Sequence, residues 1–594
     1  MASKELKAFY QSKADKLTIT LSSVSKKINV VSNIRLGVAL LFLLALYFGL
    51  TYHALLYALP VLLFIFVILV HNHSRLFDEK IHLQNLITVQ LNELQGLKGD
   101  YSCFDNGKVF IHTHHPYTHD LDIFGDGSLF QFVNRCSTLN GKKLLAYRLA
   151  NRFETKDKIV LHQQAVVDVS AKTDFRHEMQ ASGMQVEEQA HDRIQLREWV
   201  KQKPFLYGKS FYKGVLTIFP VVTILLLITS FIIDGASRFF WLAVFAQLTF
   251  LGFHIKKINA FHEYISKKKN ILDKYATLLS KIQNVDFSSV LMKDLQQKAK
   301  NADVKVKKLA SLVGALNARS NIMTTLFTNG VLMYDLQSVY RLEKWKEENA
   351  ADLEQWLNTI EEMEFICSLG TLAFNNPHFV FPEINAERKL EAEELSHPLI
   401  LRDESVSNDV HLDAAQSIMI ITGANMAGKS TFLRSLGVNV VLALTGSPVC
   451  ATRFNCALID IRSGMRTADS LRDHQSYFYA ELNRLKSIVD ELQEGKQLLI
   501  LLDEILKGTN STDKQAGSIA LVKQFIDYPS LVLIATHDLA LGDLEHEYPS
   551  KIRNFCFEPT IINDQLSFDY KLKRGLAQKM NATFLMKKMG IIPV

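Results

Sequence analysis

The sequence predicts an α/β P-loop domain at the carboxyl end, an all-α core and lever domain ahead of it, and two transmembrane helical hairpins. Three observations predict this. Residues 36–70 carry no charge at all, and residues 214–255 are apolar apart from the short break Asp234-Gly235-Ala236-Ser237-Arg238. Helical periodicity with almost no proline runs through 256–365. From about residue 378, after Pro377 and through Pro382, short β-branched runs alternate with helical stretches.

Size and composition set the frame. At 594 residues the chain is several domains long. With 48% hydrophobic and 22% charged residues it has ample side chain to bury, which excludes a disordered or collagen-like protein. A net charge of +6 argues neither for nor against a nucleic-acid partner. The six cysteines form no C-x-x-C pair, so neither a zinc ribbon nor a disulfide framework is indicated and a reducing compartment fits.

Residues 1–35 form a basic segment with Lys13, Lys16, Lys26, Lys27 and Arg35. As one straight helix the 36–70 block would measure roughly 50 Å against a hydrocarbon core of about 30 Å. It is therefore expected to cross twice, turning near Thr51 to His53, with Pro60 kinking the second span. Residues 71–213 open on RLFDEKIHLQNLITVQLNELQGL, an amphipathic helix by its three- and four-residue apolar spacing. Beyond it SLFQFVN and KKLLAYRLA read as short helices separated by a turn at Leu139-Asn140-Gly141.

The 214–255 block is the second hairpin. Arg75 and Lys80 follow the first hairpin, and Lys209, Lys213, Lys256 and Lys257 flank the second. The positive-inside rule then sets every flank in the cytoplasm, giving a multi-pass protein of an inner or plasma membrane with cytoplasmic soluble domains and the lipid bilayer as a partner. Residues 256–376 are expected to be long helices bearing Lys267, Lys268, Lys269, Lys298, Lys300, Lys305, Lys307 and Lys308. These lysines either track a phosphate backbone or form a solvated or leaflet-facing helix surface.

The remaining segment, 377–594, is the α/β domain. Within SIMIITGANMAGKSTFLRSL an apolar strand at 418–421 leads into Gly423-x-x-x-x-Gly428-Lys429-Ser430, and a helical pattern follows from near Thr431. Glycines let backbone N–H groups turn inward around phosphates, so Gly423, Ala424, Asn425, Met426, Ala427, Gly428, Lys429, Ser430 and Thr431 are the candidate ATP-binding residues. Lys429 reaches the β/γ oxygens and Ser430 ligates Mg2+. A second strand, QLLILL at 497–502, delivers Asp503 to hold magnesium and Glu504 to orient or deprotonate the attacking water. A third, SLVLIA at 530–535, ends in Thr536-His537-Asp538, where His537 can face the γ-phosphate.

Together these segments resemble the ATPase domain of the DNA mismatch repair MutS family, which is related to ABC-type ATPases. The resemblance rests on His397-Pro398-Leu399, Asn408-Asp409, the loop from Thr422 to Thr431 with Asn425-Met426 inside it, Asp503-Glu504 through Asp513, and Ala535-Thr536-His537. Asp469-Ser470-Leu471 through Gln475-Ser476 to Glu481 is similar to the family's signature segment, and the Leu121 to Gly125 and Thr138 to Leu145 stretches to the start of its helical core. The resemblance implies a homodimer in which Ser476 of one subunit completes, in trans, the site holding the other's γ-phosphate. It also implies DNA as a partner. Three departures accompany it: some 35 residues precede the first span, fewer than a mismatch-reading domain needs; Lys507 stands where arginine is common; and the closing serine-glycine pair is replaced around Asn581-Ala582.

Three functions follow as expectations. One is a membrane-anchored, DNA-clamping ATPase whose mismatch reading is not expected. Another is a transporter half, against which stand the missing Leu-Ser-Gly-Gly-Gln signature and the apolar spans. The third is a membrane scaffold whose ATPase switches its assembly without nucleic acid.

Overall fold

The structure is a computed structural model describing residues 3–265, 268–317, 322–424, 426–466, 477–506, 510–562 and 565–578. Among the described residues, four helices are long and apolar enough to cross a membrane: Lys4–Gly49, His53–Gly96, Ser210–Ser230 and Ser237–Ile265. The first two far outrun their apolar stretches. The basic segment is not a separate element, because helix Ser3–Gly49 carries it without a break into the apolar run. Likewise helix Leu59–Gly96 continues through the expected amphipathic helix. Pro60 sits in the first turn of that helix, where its missing N–H leaves nothing unpaired, so it starts the helix instead of kinking it. The polar stems pack on each other through Val24, Ile28 and Leu83, and are rooted in the body where Tyr10 Oη donates to Asn375 Oδ1 at 2.7 Å.

The body is helical and its spine is helix Tyr334–Asn375, buried along most of its length. Among the described residues the helices beside it, Lys269–Gln283, Val290–Ala299, Ala302–Asn317 and Ile322–Leu332, are short, so a lever of several long helices is not what forms. Fully buried Glu364 on the spine accepts from the backbone N–H of Ser137 at 2.9 Å and from the hydroxyls of Ser137 and Thr138. Burial nevertheless holds its carboxyl above the usual range. Its carboxylate occupies the space a side chain at Gly141 would need. The expected turn at 139–141 is in fact the first turn of helix Leu139–Ala150, capped by Thr138 Oγ1 on the N–H of Gly141 at 3.0 Å. The connection falls earlier, at 134–138.

Several lysines expected to line this region are engaged within the chain. Lys268 is buried in an ion pair with Asp192, Lys298 pairs with Asp294 at 2.6 Å and Lys305 with Asp352 at 3.5 Å. Lys267 lies outside the described residues.

Among the described residues twelve strands build the carboxyl-terminal part: β1 Glu383–Asn385, β2 Leu390–Leu395, β3 Asn408–Leu412, β4 Ile418–Gly423, β5 Arg453–Ala457, β6 Asp460–Gly464, β7 Leu498–Asp503, β8 Ser530–Thr536, β9 Ile552–Phe557, β10 Pro559–Ile562, β11 Gln565–Phe568 and β12 Lys573–Arg574. The main sheet runs β12-β9-β4-β8-β7-β6, parallel except for β12. Its strands are apolar on both faces because both are covered. Ile418, Ile420, Ile500, Val532 and Ile534 face helices Tyr477–Gln493 and Ser511–Ile526. Met419, Ile421, Leu499, Leu501 and Leu533 face helix Lys429–Leu444, in one core with the helical body. That helix is squeezed between layers: a side chain at Gly437 would strike Leu121 and Leu501.

Candidate nucleotide site

The strand order decides what meets at the sheet's carboxyl edge. β8 lies between β4 and β7, so the loop after β4, Thr536-His537 after β8 and Asp503-Glu504 after β7 arrive side by side. The loop and the Asp503-Glu504 pair border a cavity of about 480 Å³ lined by Ala424 and Met426 through Thr431, by Asp503 and Glu504, and by His397, Asn408 and Tyr570.

The loop is shaped by close backbone approach. Gly423 has φ 152°, and a Cβ there would stand 2.5 Å from the carbonyl oxygen of Phe557 on β9. Gly428 has φ 105° and precedes helix Lys429–Leu444, whose first turn aims its unpaired N–H groups into the cavity. Met426 also takes a left-handed backbone, at φ 68°, with its side chain in solvent. Lys429 is buried, and its ammonium donates to the carbonyls of Gly423 at 2.7 Å and Ala424 at 2.9 Å. It is thus held across the mouth of the loop. Asn425 lies outside the described residues.

Asp503 closes β7, and Glu504 leaves it with φ 56° while donating its N–H to the carbonyl of Ala535 on β8 at 2.8 Å. A bulky residue in that conformation is strained, and the bond to β8 holds it there. Its Oε1 lies 3.4 Å from Nδ1 of half-exposed His537, which brings these two expected catalytic residues together. Among the described residues no three His, Cys, Asp or Glu side chains cluster as a metal site. Any magnesium here would be held by Ser430, Asp503 and phosphate oxygens, the sparse set that this ion prefers.

Two features were not singled out for the site by sequence reasoning. Tyr570 stands over the loop: a side chain at Gly428 would touch its ring at 3.1 Å. Asn408 fixes it, donating to the carbonyl of Tyr570 at 3.0 Å and accepting from the N–H of Leu572 at 2.7 Å. His397 in the same cavity is held neutral, its pKa lowered to about 4 by burial and by nearby Arg434.

The second feature is a carboxylate hub joining the body to the site. Fully buried Asp120 accepts from Ser463 Oγ at 2.8 Å, from the N–H groups of Met465 and Arg466 at 3.1 Å each, and from Arg484 at 2.7 Å. Asp122 pairs with Arg466 at 2.5 Å and with Arg434, on the loop's own helix, at 3.3 Å. Arg466 leads directly into the segment containing Ser476, which, like Lys507 and Asn581-Ala582, lies outside the described residues.

Residues 419–592 match the family model described as MutS domain V. The chain is 31% identical over 249 residues to the DNA mismatch repair protein MutS of Chloroflexus aurantiacus, covering 41% of this chain and 25% of that protein. It is 28% identical over 260 residues to the protein of the same name from Clostridium botulinum, covering 42% of this chain and 28% of that protein. The chain thus spans about a quarter of the length of these relatives.

Proposed function

From a chain that carries a MutS-family, ABC-type ATPase domain at about 419–592 together with four candidate membrane helices, we propose a membrane-anchored ATPase that hydrolyses ATP at a site shared between two copies and clamps DNA as it closes. The observation that carries this reading is the meeting of Lys429, Asp503 and Glu504 around one cavity at the carboxyl edge of a parallel sheet, with His537 against Glu504. In this reading the loop N–H groups and Lys429 bind the phosphates, and Tyr570 offers its ring to the base. Magnesium, held by Ser430 and Asp503, neutralises phosphate charge. Glu504 orients and deprotonates water for in-line attack, His537 stabilises the γ-phosphate, and Ser476 of a second copy completes the site. The helices Lys4–Gly49 with His53–Gly96, and Ser210–Ser230 with Ser237–Ile265, act as two hairpins with cytoplasmic flanks.

One observation favours the DNA-free alternative, an ATP-driven assembly switch at the membrane. Lys268, Lys298 and Lys305 are taken up by carboxylates of the chain itself, which removes part of the basic surface a phosphate backbone would need. The test is binding of homoduplex and branched DNA by the detergent-solubilised full chain, with and without ATP, at low and high salt. The clamp reading requires binding that weakens steeply with salt. No binding at low salt, with ATP turnover intact, leaves the switch.

A further inference from the structure

We propose that the short helix Ile322–Leu332 lies inside the bilayer as a re-entrant element, packed on the second pair of candidate spans and covered on its outer face by lipid acyl chains. The inference rests on the membrane reading of Ser210–Ser230 and Ser237–Ile265. At 11 residues the helix is about 16 Å long, far too short to cross. Yet from Ser320 to Tyr334 the sequence has no charged residue, and the charges resume only at Arg319 and Asp335.

Its position is set by contact with the spans. The helix packs against both Ser210–Ser230 and Ser237–Ile265. A side chain at Gly330 would meet Val244 at 2.9 Å and Leu248 at 3.8 Å, so the glycine permits the close approach. Gln247, between those two residues, donates to the carbonyl of Phe219 and the hydroxyl of Thr223 across the pair, which sets 244–248 level with 219–223. That level lies six to ten residues beyond Lys213, on the order of 9–15 Å into the apolar layer at 1.5 Å per residue. Gly330 is therefore at membrane depth if the spans are.

Large apolar side chains of the helix are nevertheless exposed: Leu326 at 52%, Phe327 at 65% and Leu332 at 39%. Three large side chains on one short helix, continuous with the bare faces of the spans, match hydrocarbon better than water. The backbone at the inner end is satisfied by the protein itself, as lipid requires. Met333 turns the chain at φ 49°, the N–H of Asp335 donates to Asn329 Oδ1 at 2.9 Å, and Gln337 donates to the carbonyl of Leu332 at 2.9 Å. Gln337 also donates to the carbonyl of Leu216 at 3.3 Å, the one that Pro220 leaves without its helical N–H.

The test uses the full chain in phospholipid vesicles. Cys103 is the exposed cysteine and the other five are buried, so Cys103→Ser gives a background for single spin labels. Labels are placed through Phe327→Cys, through Leu225→Cys on the exposed face of a candidate span, and through Val290→Cys on the exposed body surface, and accessibility to oxygen and to a water-soluble nickel chelate is compared. The proposal expects oxygen to dominate at 327 and 225, and the chelate at 290. Oxygen dominating at 225 but the chelate at 327 overturns the proposal and leaves the spans standing. A label at 327 shielded from both reagents, as burial against a second copy would give, overturns it as well. The chelate dominating at 225 too removes the membrane reading and the proposal together.

Discussion

Replacing Asp120 by asparagine should uncouple the helical body from the nucleotide site. The carboxylate takes three donors on Oδ2, from Ser463, Met465 and Arg484, and the N–H of Arg466 on Oδ1. An amide has one acceptor oxygen. Set toward the three donors, it turns its NH2 group against the N–H of Arg466, and it no longer offers Arg484 a charge. One lost charge-assisted bond costs about 1.5–3 kcal/mol, and breaking a buried pair from one side about 3–5 kcal/mol in all. At roughly 1.4 kcal/mol per tenfold, the amides of Met465 and Arg466 should exchange some hundred- to several-thousand-fold faster in hydrogen–deuterium exchange on the full chain. β8 should keep its protection. ATP turnover should fall while ATP binding persists, since no loop residue is touched. Unchanged protection at 465–466 would refute the hub.

Three further outcomes follow from the same geometry. Tyr570→Ala removes a stacking face worth about 1–3 kcal/mol, so ATP should bind several-fold to about a hundredfold more weakly while tripolyphosphate binds as before; equal losses for both would remove the ring from base recognition. Gly423→Ala drives a methyl group into the carbonyl of Phe557 and should abolish nucleotide binding, which equilibrium dialysis would read; a variant binding normally would show that β9 can give way. Acid should destabilise the fold. Burial lowers the pKa of His115 and His397 to about 4 and of His177 to about 3, so between their ordinary value near 6.5 and these values the unfolded chain binds protons the folded one does not. This stability is complete above about pH 6.5 and is lost as pH falls toward 4 and 3. Asp168 and Glu178, both lowered to about 2 and both paired with lysines, add a loss in the same direction below about pH 4. Urea midpoints that stay flat from pH 7 to 4 would contradict this, and His177→Gln should reduce the slope.

What could be read from the sequence, and what could not, follows from the range of the interactions. The loop, β4, β7 and β8 were legible because glycine spacing and apolar runs ending in Asp503, Glu504 and His537 are local patterns. Even the boundaries moved by only a residue or two, as with β8 ending at Thr536 instead of Ala535. Pro60 and the 139–141 segment were misread because a proline or glycine at a helix start looks like a breaker until the cap is known. Helix Ser3–Gly49 was divided at residue 35 because composition changes there while the backbone does not. Glu364, Asp120 and Tyr570 act on partners more than a hundred residues away, and no spacing rule marks such pairs.

The shared site is tested most directly by mixing two silent variants of the full chain. On the proposed reading Glu504→Gln spoils the base and Ser476→Ala the contact lent across a dimer, so each variant alone should be nearly inactive. In a mixed dimer one of the two sites has both defects and the other has neither. Equal mixing with subunit exchange should therefore restore up to roughly a quarter of wild-type turnover, the product of half mixed dimers and half intact sites. Activity that stays at the level of the separate variants, with exchange verified, would contradict a site built from two copies.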